Sequence, residues 1–380
     1  MSSNRRNFLK TVGSISLIGG CTNAEDAPEA FFKDPKPFVQ HGTANLESKL
    51  ENQESFLTPI DEFFVRNNDV SLDIPVDDYR LTVEGTAIET PLSLSYEDLR
   101  SMPSRTVFSY LECGGNQRAF FGALLGQVAT GTQWKRGAVG MAEWTGIPLI
   151  EVLQAAGIQE SAEAVQLIGM DQGAPEGGFR RPLPLSKAMD PDTLLVLRMN
   201  GAPLPKDHGA PVRALVPGWV GSSSVKWLGR IEVSDTQIWS RNNTTSYVLI
   251  GEDYPPEGQA RGQVANKQSL KSTLALPWPA VLRNGVHRIY GYAYGPDGPI
   301  AQVRWSEDGG STWKDAKLLE PRMRYGWTRF EIDWNATPGR HTIITSAVDS
   351  LGTEQPDMIP HNEKGYLFNM RLPHPIQVVN

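Results

Sequence analysis

Cysteine is nearly absent from this chain: two residues in 380, Cys21 and Cys113. So few thiols exclude a disulfide framework, a four-cysteine zinc site and a cysteine-held iron–sulfur cluster, and no C-x-x-C-H haem attachment occurs. Histidine is also sparse, six in all, and no H-x-x-x-H pair is present to anchor a zinc ion. Past residue 20, no apolar run approaches the roughly 20 residues that a helix needs to cross a bilayer. Basic charge is in deficit, 36 Lys and Arg against 43 Asp and Glu for a net charge of -7, and no basic stripe appears. That balance argues against nucleic acid as a partner, because phosphate backbones are bound by concentrated Lys and Arg. What remains is a globular chain, 39% hydrophobic with 36 Gly and 28 Pro, turn-rich and long enough for two domains.

The first 21 residues read as an address. "SSNRRNFLKT" sets Arg5 and Arg6 before Phe8, Leu9 and Lys10, and "VGSISLIGG" adds a short apolar stretch, the pattern of a twin-arginine signal. That route exports folded proteins and so implies a cofactor loaded before export, with a periplasmic destination or the outer face of the cytoplasmic membrane. The apolar stretch runs into "LIGGC", which resembles a lipobox with Cys21 as the lipid anchor. Residues 22–54, acidic and Pro-containing at their start, are expected to form a tether. If processing consumes Cys21, Cys113 is the one thiol of the mature body.

Periodicity divides the rest into two domains. "YRLTVEG" (79–85) alternates Tyr79, Leu81 and Val83 as a half-buried strand does, and Ser95 with Asp98 predicts a capped short helix in "SYEDLRSM". "TGIPLIEVLQAAG" spaces Leu149, Val152, Leu153 and Ala156 on one helical face, with Pro148 near the first turn and Gly157 as a stop. "TLLVLRMNG" and "VKWLGRIEV" read as buried strands, which makes residues 55–250 a mixed α/β domain. The polar, Pro-rich 251–266 reads as a linker. Over 267–380 helical signals vanish, short strands alternate with Gly, Pro and Asp turns, and Asp308-Gly309-Gly310 marks a hairpin, the pattern of a β-sandwich. The fold class is therefore α+β.

Cys113 lies in "YLECGGNQRAFF" (110–121), and three readings are open for it. It can be a small buried hydrophobe, a nucleophile needing a base that the nearby sequence does not supply, or a thiolate metal ligand. Gly114 and Gly115 permit close backbone approach to a bulky centre. As a ligand it lacks protein partners, so the remaining ligands belong to a cofactor.

"LECGGNQRAF" resembles the cysteine loop of the sulfite oxidase family of molybdopterin-dependent oxidoreductases, in its bacterial sulfite or sulfane dehydrogenase branch. The likeness continues through "FFVRNN" (63–68), "GAVGMAEWTGIPLIEVL" (137–153), residues 184–235, "VRWSEDGGSTW" and "AVDSLGTEQP". It implies a molybdopterin-binding domain followed by an immunoglobulin-like dimerisation domain, and molybdenum held by Cys113 and a pterin dithiolene. By the same resemblance Arg66, Asn67, Asn68, His208, Arg213, Ser222, Ser223, Ser224 and Lys226 contact the cofactor. Asn68 departs from the family, which commonly has His there. Arg66, Arg118 and Arg329, with Trp134 and Tyr247, are expected to form a pocket for a small oxyanion, since forked guanidinium donors match its oxygens. Each of the three arginines can instead be structural.

The implied reaction is oxidation of sulfite or a related reduced sulfur species by oxygen-atom transfer, with electrons leaving to an external c-type cytochrome. Two other readings stay open: a reductase of nitrate or an S-oxide on the same scaffold, and a non-catalytic surface-binding protein. The resemblance also suggests a homodimer.

Overall fold

The computed structural model describes residues 30–380, so the signal, Cys21 and the first part of the expected tether lie outside the described residues. Three antiparallel or mixed sheets build the first domain. A small sheet joins Val39–His41, Asn45–Glu47 and Val65–Arg66. A second centres on the long hairpin of Arg105–Glu112 with Val139–Pro148, extended by Leu194–Met199 and its partners Ala202–Pro203 and Arg213–Leu215. The third runs in the order Leu92–Ser95, Arg80–Gly85, Leu228–Ser234, Ala164–Gly169, Arg180–Pro184, with one parallel pair between Arg80–Gly85 and Leu228–Ser234.

The predicted alternation holds: Tyr79, Leu81 and Val83 are fully buried in the core between the second and third sheets, with Val152, Leu153 and Ala156. Helix Tyr96–Ser101 carries the capping box, the Ser95 hydroxyl accepting from the Asp98 amide while the Asp98 carboxylate accepts from the Ser95 amide. Helix Leu149–Ala155 starts directly after Pro148 and stops at Gly157, whose φ of +66° suits glycine.

The second domain is a sandwich of two sheets. One orders Lys271–Leu274, Gly285–Tyr294, Thr328–Ala336 and Lys317–Leu318; the other orders Ala280–Arg283, His374–Val379, Gly339–Asp349, Ile300–Ser306 and Lys314–Asp315. Ile289, Val303, Trp305, Phe330, Trp334 and Ile343 fill the space between them. His374 is buried here, its Nε2–H donating to the Pro277 carbonyl at 2.8 Å. Burial, reinforced by Arg136, pulls its pKa down to about 4. The unfolded chain binds this proton near pH 6.5 and the folded chain does not. Stability is thus present in full above pH 6.5 and declines toward pH 4, by at most about 1.4 kcal/mol per pH unit. Urea midpoints at pH 7 and pH 5 should separate in the wild type, and the separation should shrink in His374→Gln.

The residues around 30–54 correct one expectation. They form no free tether but part of the folded body: Phe31, Phe38 and Leu46 pack with Val65 in a core of their own. Glu47, 3% exposed, accepts from the amides of Lys135, Arg136 and Gly137 at 3.0, 2.8 and 2.9 Å. The expected linker 251–266 is largely exposed, yet Gln263–Val264 pairs with Val248–Leu249.

The two domains meet directly behind Cys113. Lys271 of the sandwich places its ammonium 2.8 Å from Glu112 Oε1, with the two side chains 1% and 0% exposed. Tyr294 and Asn116 donate to the same oxygen at 3.0 and 2.9 Å, and Gln268 donates to the Glu112 carbonyl at 2.9 Å. Removing one member of such a pair leaves a buried charge uncompensated. Lys271→Met should therefore cost roughly 3–5 kcal/mol, read as a lower urea midpoint. A loss below about 0.5 kcal/mol would overturn the ion-pair account.

Candidate active site

Strand Arg105–Glu112 ends by delivering Cys113 to a tight loop. The Cys113 amide donates to Ala138 O at 2.9 Å and its carbonyl accepts from the Asn116 amide at 2.8 Å, so the backbone on both sides of the thiol is fixed. Cys113 is free, half-buried, and opens into a cleft with roughly 740 Å³ of atom-free space including its mouth. Among the described residues, no group of three or more His, Cys, Asp or Glu could hold a metal ion. Any metal at Cys113 must then take its other ligands from elsewhere.

The cleft collects most of the expected cofactor contacts: Arg66, Asn67, Asn68, His208, Arg213, Ser222, Ser224 and Lys226 line it with Tyr247. Strand Val65–Arg66 supplies Arg66, whose Nη1 donates to the Asn68 side chain at 3.1 Å and to the Asn67 carbonyl. Asn67 accepts from Lys226 Nζ. Arg213, 2% exposed, donates to the carbonyls of His208, Ser224 and Ala214, at 2.9, 3.0 and 3.3 Å. Ser223 is buried beside the lining rather than in it, and the hydroxyls of Ser222 and Ser223 have no hydrogen-bond partner. The turn Gly221–Ser223 lies against the cysteine strand because Gly221 has no Cβ; one would stand 2.7 Å from the Glu112 carbonyl.

This cluster is cationic and short of anions. Burial lowers the pKa of Arg213 to about 9. Burial, followed by the charge of Arg213, drives Lys226 well below the ordinary lysine value. The carboxylate in reach, Asp171, is itself pushed up by burial and bound by the Phe179 amide at 2.9 Å. Asp207 is committed elsewhere, accepting from the amides of Phe32 and Lys33 and from the Ser71 hydroxyl. Buried and half-buried basic groups held by carbonyls and amides rather than by carboxylates, beside orphaned serine hydroxyls, suit an anionic group such as a phosphate.

His208 differs from expectation in its partner. Its Nε2 accepts from Lys33 Nζ at 2.9 Å, and burial with the charges of Lys33, Lys226 and Arg213 keeps the imidazole neutral. Lys33 also donates to the carbonyls of Ile60 and Phe63, and burial lowers its pKa to about 8. Sequence reasoning missed Lys33 because it belongs to the stretch read as tether.

Three expected pocket residues stand apart from the cleft. Trp134, 1% exposed, is a core residue packed edge-on against His41 at 5.0 Å. Arg329 sits in the sandwich strand Thr328–Ala336 and donates to the Glu54 carbonyl at 2.7 Å, a structural contact between domains. Arg118 adjoins the cysteine loop without lining the cleft. Its Nε donates to Lys364 O at 2.6 Å and its Nη1 to Thr132 O at 2.7 Å, while Nη2 lies against Gly115. Carbonyls thus occupy one donor each at Nε and Nη1 and fix the guanidinium where it stands. Arg66 and Tyr247 remain as the expected pocket residues in the cleft with Cys113. Arg66 stays charged: burial opposes its charge, but Tyr247, Cys113, Tyr366 and Asp171 outweigh that and raise its pKa.

Comparison with known proteins agrees with this arrangement. Residues 67–242 match the oxidoreductase molybdopterin binding domain, and residues 266–378 match the Mo-co oxidoreductase dimerisation domain. Mitochondrial sulfite oxidase of Rattus norvegicus is 34% identical over 342 residues, covering 86% of this chain and 62% of that protein. The chain therefore spans less than two thirds of the rat protein's length. Sulfite oxidase of Gallus gallus is 34% identical over 365 residues, 88% of this chain and 77% of that protein. The crystal structure of the sulfane dehydrogenase SoxCD from Paracoccus pantotrophus matches with a TM-score of 0.77 at 28% identity, covering 90% of this chain and 88% of that one.

Proposed function

The chain belongs to the sulfite oxidase family of molybdopterin-dependent oxidoreductases, and from that premise we propose that it oxidises sulfite or a closely related reduced sulfur anion. The observation that carries the reading is the free thiol of Cys113 in a cleft lined by buried Arg213 and half-buried Arg66 and Lys226, none of which forms a salt bridge with a carboxylate among the described residues. Those residues fit the family's molybdenum–molybdopterin cofactor, with Cys113 as the protein's metal ligand and Arg213, Lys226 and the Ser222 to Ser224 turn for its phosphate. When bound, that group supplies oxygen-atom transfer and takes up two electrons. The chain's own part is to bind and orient the anion. Arg66 offers a guanidinium fork in the cleft with Cys113, and Tyr247 offers a phenol from the same lining. Overall, sulfite and water become sulfate, with two protons and two electrons released.

The electrons need an acceptor outside the chain, for which we infer a c-type cytochrome. Export by the twin-arginine signal, lipidation at Cys21 and a homodimer complete the reading. The match of residues 266–378 to a dimerisation domain supports the dimer.

The test is metal analysis of purified protein followed by sulfite-dependent reduction of cytochrome c. Molybdenum with sulfite-dependent reduction is the expected result. Molybdenum with reduction of nitrate or an S-oxide, but no sulfite oxidation, would reverse the proposed direction. Absence of molybdenum from protein made with the cofactor available would leave only the binding-protein reading.

A further inference from the structure

The C-terminal domain sends one loop, residues 362–367, onto the back of the cysteine loop. Asn362, 1% exposed, ties this loop: its Oδ1 accepts from the Tyr366 amide and its Nδ2 donates to the Tyr366 carbonyl, both at 3.0 Å. The Leu367 amide donates to Gly114 O at 2.8 Å, and the Thr130 amide donates to Glu363 O at 2.9 Å. Gly365, at φ +58°, faces Arg118; a Cβ there would stand 2.6 Å from Arg118 Cγ. Arg118 is therefore held on three sides, by Thr132 O, Lys364 O and Gly365.

This construction holds one aromatic ring. The Arg118 guanidinium lies 5.0 Å from the centre of the Tyr366 ring. Tyr366 stacks on Tyr247 at 5.5 Å with the planes 29° apart. Tyr247 also meets Phe179, edge-on at 5.8 Å, and Arg181 at 5.4 Å, and turns its remaining surface to the cleft. Arg181 is fully buried and fixed by Ala265 O and the Asn266 side chain at 2.9 and 3.1 Å. An aromatic side chain so enclosed has little rotational freedom left.

We propose that Tyr366 is a positioning residue for Tyr247, with its own ring held in place by the Arg118 guanidinium. The pocket is then complete only with a loop of the C-terminal domain in place. The proposal rests on the reading of Tyr247 as an oxyanion-pocket residue. It concerns the ring of Tyr366, since stacking and the cation–π contact both act through the ring face.

The experiment is a double-mutant cycle on molybdenum-loaded protein. Two quantities are read: the affinity for sulfate, the product anion, by calorimetric titration, and kcat/KM for sulfite per molybdenum. Tyr366→Leu keeps bulk but loses the stack, and should weaken sulfate binding and lower kcat/KM about tenfold, mainly through KM. Tyr366→Phe should restore most of that loss. In a Tyr247→Phe background, Tyr366→Leu should add less than about twofold, because the phenol it positions is gone.

Additive effects, or a Tyr366→Phe loss equal to that of Tyr366→Leu, would overturn the proposal. If Tyr366→Leu does not fold, Gly365→Ala, which displaces Arg118, supplies the same cycle against Tyr247→Phe with the same two outcomes. Wild-type protein that binds sulfate without oxidising sulfite would overturn the proposed substrate while the sulfate cycle still decides the role of Tyr366. Wild-type protein that does neither would overturn both.

Discussion

Replacing Cys113 by serine should leave a folded protein that retains pterin and has lost turnover by at least about a thousandfold, ~4 kcal/mol of barrier. The backbone around residue 113 is fixed by Ala138 O and the Asn116 amide, neither of which involves the sulfur. The thiol's part in the fold is thus confined to packing against the neighbouring core, which a serine of similar size largely keeps. A serine hydroxyl at neutral pH is hard and protonated, a poor replacement for a soft thiolate on a metal that takes no second ligand from the protein. Steady-state assay with metal and pterin analysis checks this. Activity per molybdenum near wild type would remove Cys113 from the metal site.

Arg66→Gln should raise KM for sulfite and lower kcat/KM by roughly 30- to 1000-fold, the loss of a charge-assisted fork worth about 2–4 kcal/mol. Arg66 is half-buried in the cleft with Cys113, and its positive charge is sustained by Tyr247, Cys113, Tyr366 and Asp171. Arg66→Lys keeps the charge without the planar fork and should recover only part of the loss. Kinetics normalised to molybdenum separate this from cofactor loss. A kcat/KM within about twofold of wild type, below 0.5 kcal/mol, would remove Arg66 from anion binding.

Much of the fold was legible because its signals are local. The alternation of Tyr79, Leu81 and Val83 places three fully buried side chains, and Ser95 with Asp98 encodes its helix start within four residues. The turn at Asp308 is equally self-contained, with Gly309 and Gly310 at φ +73° and +90°. The stretch from residue 30 to 54 was misread because its apolar residues are spread among Pro, Asp and Lys, with no period to mark Phe31, Phe38 and Leu46 as core. These side chains bury against Val65, a contact that only the tertiary fold creates.

The site divides in the same way. Cys113, Arg66 and the 206–226 loops are close in the fold and carry recognisable sequence. Arg118 is in the right loop, yet the Lys364 and Thr132 carbonyls bind its Nε and Nη1 and it stands outside the cleft lining. Trp134 and Arg329 have residue types suited to a pocket, but one faces the core and the other the domain boundary. Tyr366 and Lys33 reach the site from the two ends of the described chain, where no motif of the central domain points to them.

The central claim is that Cys113 and its cationic cleft hold a molybdenum centre that converts sulfite to sulfate. The most direct measurement is a single turnover without any electron acceptor: metal-loaded protein is mixed with excess sulfite, and sulfate is counted against molybdenum. The expected result is close to one sulfate per molybdenum in the wild type and none in Cys113→Ser. No sulfate from fully loaded wild-type protein, or the same yield from Cys113→Ser, would contradict it.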